Sequence, residues 1–64
     1  MAVPAYDILK KDAAALVWIE AVANLESAKL RIKELAARYE AEYIIFDQRT
    51  GEIVGRLNAL PVNR

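Results

Sequence analysis

The side chains that most often carry catalysis are scarce in this sequence. It has no His and no Cys, so an imidazole base, a thiol nucleophile and a thiolate zinc site are all excluded. The single Ser, Ser27, has no candidate base beside it in sequence, and Thr50 lies in a predicted turn. Glu20, Glu42 and Asp47 are the carboxylates that could meet across strands for acid–base work, but such groups are more often solvated or paired with cations. We therefore predict a protein that is not an enzyme and has no catalytic, cofactor-binding or metal-binding residues.

Nucleic-acid binding is the second class of chemistry to weigh. Neither the P-loop spacing nor G-x-G-x-x-G occurs. Single-stranded nucleic acid would need cations along loops or one edge of a sheet and aromatic rings on its surface. The residues of these types are Lys10, Lys11, Arg49 and Arg56, with Tyr6, Trp18 and Tyr43 as stacking groups. Lys plus Arg number 9 and Asp plus Glu number 9, and this neutral balance disfavours a nucleic-acid partner.

Length and composition predict a small globular domain. The chain has 64 residues, of which 56% are hydrophobic, with 2 Gly and 2 Pro, which excludes a low-complexity chain. We assign residues 1–64 to one domain, with 58–64 as an extended tail. The longest uncharged apolar run, 13–19, is too short to cross a membrane, and no basic leader opens the chain, so we expect a cytoplasmic protein. A domain of this size without disulfides or metal is marginally stable alone, which favours oligomerisation.

Residues 25–40 carry the clearest structural signal. Their apolar side chains recur three or four residues apart, which predicts one buried face of a helix. Asn24 is suited to the N-cap, and Glu26 would lie in the first turn, where the helix dipole favours negative charge.

Residues 42–57 predict a β-hairpin. The β-branched and aromatic run 43–46 favours a strand, and 52–57 supplies the return strand. Between them, Gly51 can adopt a left-handed conformation and Asp47 can accept backbone N–H groups of the turn. Gly55 is a candidate bulge.

Residues 13–23 are ambiguous between helix and strand. Ala and Leu favour a helix, whereas the run 16–22 favours a strand. We predict a first hairpin with strands over 6–11 and 16–23 and a turn over 12–15; a helical hairpin is the alternative. The order is then ββαββ, an α+β fold with a four-stranded antiparallel sheet and one helix packed on one face.

Three segments carry a resemblance to other sequences. They are Trp18-Ile19-Glu20-Ala21-Val22, the helix opening 24–29, and the hairpin Tyr43-Ile44-Ile45-Phe46-Asp47-Gln48-Arg49-Thr50-Gly51. Their order resembles that of small bacterial proteins of uncharacterised function with a Tyr-x-x-Phe-Asp-x-x-Thr-Gly hairpin. The resemblance implies the ββαββ order and a bacterial source, and it implies no activity, ligand or site residue.

Both faces of the predicted sheet are apolar, although one helix covers only one of them. Alternation does not say which face meets the helix, and either choice leaves an apolar face bare. Such a face predicts an interaction surface. The residues that we assign to it are Tyr6, Ile8, Leu16, Trp18, Val22, Tyr43 and Ile45. The prediction is a small interaction module that forms a homo-oligomer, with a dimer as the first choice. A different protein partner, or a tail or loop carrying Leu57, Leu60 and Val62 folded over the face, are the alternatives.

Overall fold

The structure is a computed structural model that describes residues 4–58 as four strands and one helix. The elements are β1 (Tyr6–Asp12), β2 (Ala15–Val22), α1 (Leu25–Arg38), β3 (Glu42–Asp47) and β4 (Glu52–Asn58). The strands form a single antiparallel sheet in the order β2-β1-β3-β4, which confirms the α+β, ββαββ prediction. Asn58, which the sequence places in the predicted tail, is the last residue of β4, and the rest of the predicted tail lies outside the described residues.

Helix α1 begins as its sequence predicts and ends two residues early. The side-chain oxygen of Asn24 accepts a hydrogen bond from the backbone N–H of Ser27 at 2.8 Å, which satisfies one of the free donors of the first turn. The helix stops at Arg38 because Tyr39 is extended, with φ −132° and ψ 121°. Its buried face consists of Ala28, Ile32 and Leu35.

The β3–β4 turn follows the predicted chemistry. Gly51 has φ +75°, in the left-handed region, and its N–H donates to the Asp47 carbonyl at 2.8 Å. A carboxylate oxygen of Asp47 accepts the backbone N–H of Arg49 at 2.9 Å. The turn is therefore fixed by one side-chain cap and one glycine.

The β1–β2 turn forms despite its poor chemistry. Asp12 pairs with Ala15, which leaves a two-residue loop, and Ala13 takes φ 55°. A left-handed conformation costs a non-glycine residue roughly 1–2 kcal/mol. The hairpin, rather than the helical alternative, is found because seven cross-strand pairs between β1 and β2 and the packing of β1 in the centre of the sheet outweigh this cost.

Helix α1 carries the chain across the sheet. β2 and β3 both pair antiparallel with β1, so they run parallel to each other with β1 between them. The helix connects them and packs on one face of the sheet. We call this the helix face, and the other the open face.

Two bulges, one in each edge strand, decide which side chains belong to each face. In β2, Glu20 pairs with Ile8 and Trp18 pairs with Leu9, which leaves Ile19 as an extra residue. Because the extra residue shifts the alternation, Leu16 and Trp18 lie on the open face whereas Glu20 and Val22 lie on the helix face.

The second bulge lies where the sequence marked Gly55. Ile45 pairs with Gly55 and Phe46 pairs with Ile53, so Val54 is the extra residue of β4. A Cβ atom at Gly55 would come within 2.9 Å of the Ile45 Cδ1 atom. Glycine thus lets the backbone of β4 approach the core.

The hydrophobic core lies between α1 and the helix face. Ile8 and Ile45 are fully buried and Tyr43 is 1% exposed. The Tyr43 hydroxyl donates to the Tyr39 carbonyl at 2.8 Å, with the Leu35 carbonyl as a longer acceptor at 3.3 Å. Tyr43 therefore ties the end of α1 to the middle of the sheet by donating to the carbonyl of Tyr39, the residue that caps the helix.

Candidate interaction surface

The open face consists of three rows of side chains that run across the four strands. The pairing register defines the rows as Leu16–Lys11–Glu42–Asn58, Trp18–Leu9–Ile44–Arg56 and Ala21–Asp7–Phe46–Ile53. An apolar band crosses them diagonally, and we call it the open-face band. Its members are Leu9, Leu16, Trp18, Ile44, Phe46 and Ile53.

Exposure within this band is highest at its two ends. Trp18 is 59% exposed and Leu16 57% on β2, and Ile53 is 46% exposed on β4. Between them, Ile44 is only 4% exposed, because the flat array of neighbouring side chains shields it. The band thus presents large exposed apolar side chains on either side of a buried centre, and one of them is a tryptophan, a residue type enriched at binding hot spots.

Polar groups border the band and are themselves paired. Asp7 accepts hydrogen bonds from the Trp18 indole Nε1 at 3.1 Å and from the Gln48 amide Nε2 at 2.8 Å. Toward the β4 edge of the same face, Arg56 lies 3.5 Å from a carboxylate oxygen of Glu42. The hydrogen bond to Asp7 holds the Trp18 indole in one orientation, with its ring exposed to solvent.

The predicted interface residues divide between the two faces. Ile8, Tyr43 and Ile45 lie beneath α1 and belong to the core, so their assignment to an exposed surface was wrong. Tyr6 and Val22 also lie on the helix face, half-buried against that core. Leu16 and Trp18 lie together on the open face.

Sequence reasoning missed four members of the band, namely Leu9, Ile44, Phe46 and Ile53. Alternation in β3 correctly places Ile44 and Phe46 on the same face. The helix covers the other face of β3, which carries Tyr43 and Ile45. Nothing in β3 marks that choice, because both of its faces are mainly apolar. The bulge at Ile19 then transferred Val22 away from Leu16 and Trp18.

The residues considered for nucleic-acid binding are divided between the two faces of the sheet. Tyr43 is buried, and the Arg49 guanidinium lies 5.7 Å above the Tyr6 ring and donates to its hydroxyl at 3.0 Å. Trp18 is thus the only one of the three proposed stacking groups on the open face. The structure supplies no continuous row of rings beside these cations.

The three carboxylates considered for acid–base work are engaged separately. Glu20 forms an ion pair with Arg31 of α1, and the hydrogen bond between them raises the pKa of Arg31. Asp47 caps the β3–β4 turn, and Glu42 pairs with Arg56 on the open face. Within residues 4–58 no group of three or more acidic side chains has the geometry to hold a metal ion.

Comparison of the chain with models of protein families, with curated proteins and with solved structures gives no match. Among the described residues, no helix has the length and apolar character required to cross a bilayer. The candidate function therefore depends on the surface itself.

Proposed function

We propose that this protein is a small non-enzymatic interaction module that forms a homodimer through the open-face band. The observation that carries the proposal is the cluster of exposed apolar side chains on the sheet face opposite α1, with Trp18 at 59%, Leu16 at 57% and Ile53 at 46% exposure. Contiguous apolar surface of this kind is characteristic of interaction sites. Burying it would add the hydrophobic stabilisation that a 64-residue chain otherwise lacks.

Charge favours a second copy of the chain as the occupant. The open face carries two anions and two cations, which are Asp7, Glu42, Lys11 and Arg56. A two-fold axis parallel to the strands would place β2 over β4 of the partner and β1 over its β3. Lys11 would then face Glu42 of the partner subunit, and Trp18 would face Arg56 of the partner subunit, where a cation–π contact is favourable.

The proposed setting is the bacterial cytoplasm. The complete lack of cysteine suits a reducing compartment, and the sequence resemblance is to small bacterial proteins. Fractionation of the source cell would test this, and recovery with the membrane or outside the cell would contradict it.

The test of the homodimer is the molar mass in solution measured by light scattering over a concentration series. Ile53→Lys places a charge within the band at a site that is 46% exposed, so the isolated chain tolerates it. We expect this variant to remain folded and to dissociate at concentrations at which the parent is assembled. Its dimer should require at least a tenfold higher protein concentration to form. A lysine at this end of the band must lose its hydration when the partner covers it.

Leu30→Lys is the matched control. Leu30 is 64% exposed on α1 and lies outside the sheet, so this variant makes the same chemical change away from the band. It should retain the parent mass. Equal masses for parent and Ile53→Lys at all concentrations would contradict the proposal.

A further inference from the structure

The two edges of the sheet are protected to different degrees. β4 carries Glu52 and Arg56 and is interrupted in its middle by the Val54 bulge. Charges and bulges are the usual devices that prevent an edge strand from pairing with another chain. β2 has neither in its first half, since 15–19 is uncharged and its bulge begins only at Ile19.

The unprotected half of β2 is apolar on both sides of the sheet. Leu16 and Trp18 project on the open face, and Val17, which pairs with Lys10, projects on the helix face and is 42% exposed. On that side a shallow groove of about 250 Å³ runs between β2 and the end of α1. Its lining residues are Lys10, Val17, Ile19, Leu35, Tyr39 and Tyr43. The side chains of a strand added at this edge would thus contact apolar surface on both faces of the sheet. Such surface accommodates the alternating side chains of an added strand.

We propose that β2 pairs antiparallel with β2 of a second copy, centred on Val17, to give a continuous eight-stranded sheet. In this register Val17 lies opposite Val17 of the partner subunit, and Leu16 lies opposite Trp18 of the partner subunit. The uncharged segment 15–19 is centred on Val17, so two copies overlap over its whole length without bringing any charges into opposition. This contact does not require the open-face band. The two-fold axis of this contact lies at the β2 edge and does not meet the axis of the open-face contact, so the two contacts together give an open-ended array of copies.

The register gives a test by charge complementation. Val17→Glu and Val17→Lys each place two like charges opposite each other at the two-fold axis, so each variant alone should have a lower molar mass than the parent, limited to the dimer held by the open-face band. An equimolar mixture should recover the parent mass, because Glu then faces Lys. Val17→Thr, which keeps the β-branched shape without charge, is the control and should assemble.

Masses of both single variants equal to that of the parent would overturn the edge pairing. So would a reduced mass that the mixture fails to restore, since that result means disruption without the proposed register. Circular dichroism establishes that each variant is folded. Hydrogen exchange of the parent gives a measurement that needs no substitution. Protection of every amide from Leu16 to Trp18 supports an added strand, and fast exchange at alternate amides contradicts it.

These variants test the β2 edge pairing and the contact through the open-face band independently of each other. If the Val17 variants halve the mass and Ile53→Lys leaves it unchanged, the edge pairing stands and the homodimer through the open-face band is wrong. If Ile53→Lys halves the mass and the Val17 variants do not, the reverse holds. The Val17→Glu, Ile53→Lys double variant should have the mass of one chain.

Discussion

The two faces of the sheet have similar composition and opposite environments. On the helix face Ile45 is fully buried, and Tyr43 reaches the last carbonyls of α1. On the open face Ile53 and Trp18 retain 46% and 59% of their surface in solvent. The comparison shows that hydrophobicity alone does not identify the core of a small domain. One face is apolar because it supports the helix, and we propose that the other is apolar because a second copy covers it.

The largest effect that we expect from this difference concerns the free energy of unfolding, when one side chain on each face is truncated to alanine. Ile45→Ala should lower the free energy of unfolding by roughly 2–5 kcal/mol at every protein concentration, because it leaves a cavity in the core. Ile53→Ala should cost less than about 0.5 kcal/mol in the dissociated chain, as exposed sites usually do. Urea unfolding over a range of protein concentrations measures both.

The cost of Ile53→Ala should then grow with concentration as the assembled form becomes populated. A concentration-independent cost equal to that of Ile45→Ala would contradict the proposed difference between the helix face and the open face.

A smaller effect is expected from the hydroxyl that links Tyr43 to the end of α1. Tyr43→Phe removes a hydrogen bond and should cost about 1 kcal/mol at neutral pH. Burial, with a smaller contribution from Tyr39, raises the pKa of Tyr43 above its ordinary value of 10.0. Because the folded state holds the proton more tightly than the unfolded state, this contribution to stability is complete below pH 10.0 and is lost as the pH rises through the folded pKa.

Thermal unfolding of parent and variant between neutral and alkaline pH measures this contribution. The parent should lose stability more steeply than Tyr43→Phe above pH 10.0, so that the two curves converge. Parallel curves would show that the Tyr43 hydroxyl is not held in the core as described.

The fold could be predicted from sequence wherever a residue type has one characteristic role in local backbone structure. Asn24 at the N-cap, Gly51 in the left-handed region and the Asp47 cap all lie where their chemistry predicts. The helix end was predicted two residues too late, because the Tyr39 carbonyl is used by Tyr43 from a different element. That contact is tertiary and has no local signal.

The faces could not be predicted, for two physical reasons. In β3 both alternating sets are mainly apolar and each contains one carboxylate, Glu42 in one and Asp47 in the other, so the pattern does not identify the solvent side. In β2 the bulge at Ile19 reverses the alternation, which separates Val22 from Leu16 and Trp18. Glu20 pairs with Arg31 on the helix face, but the bulge lies between Glu20 and Trp18, so the position of Glu20 does not place the residues before it.

The most direct test of the covered open face uses the only tryptophan in the chain, Trp18. Its emission should be recorded on dilution alongside the molar mass, for the parent and for the Val17→Glu variant in which edge pairing is removed. We predict that in both proteins the emission maximum moves to longer wavelength as the mass falls to that of one chain, because the indole passes from a contact into water. Long-wavelength emission and the mass of a single chain at every concentration in Val17→Glu would contradict the account, because in that variant only the open face can hold two chains together.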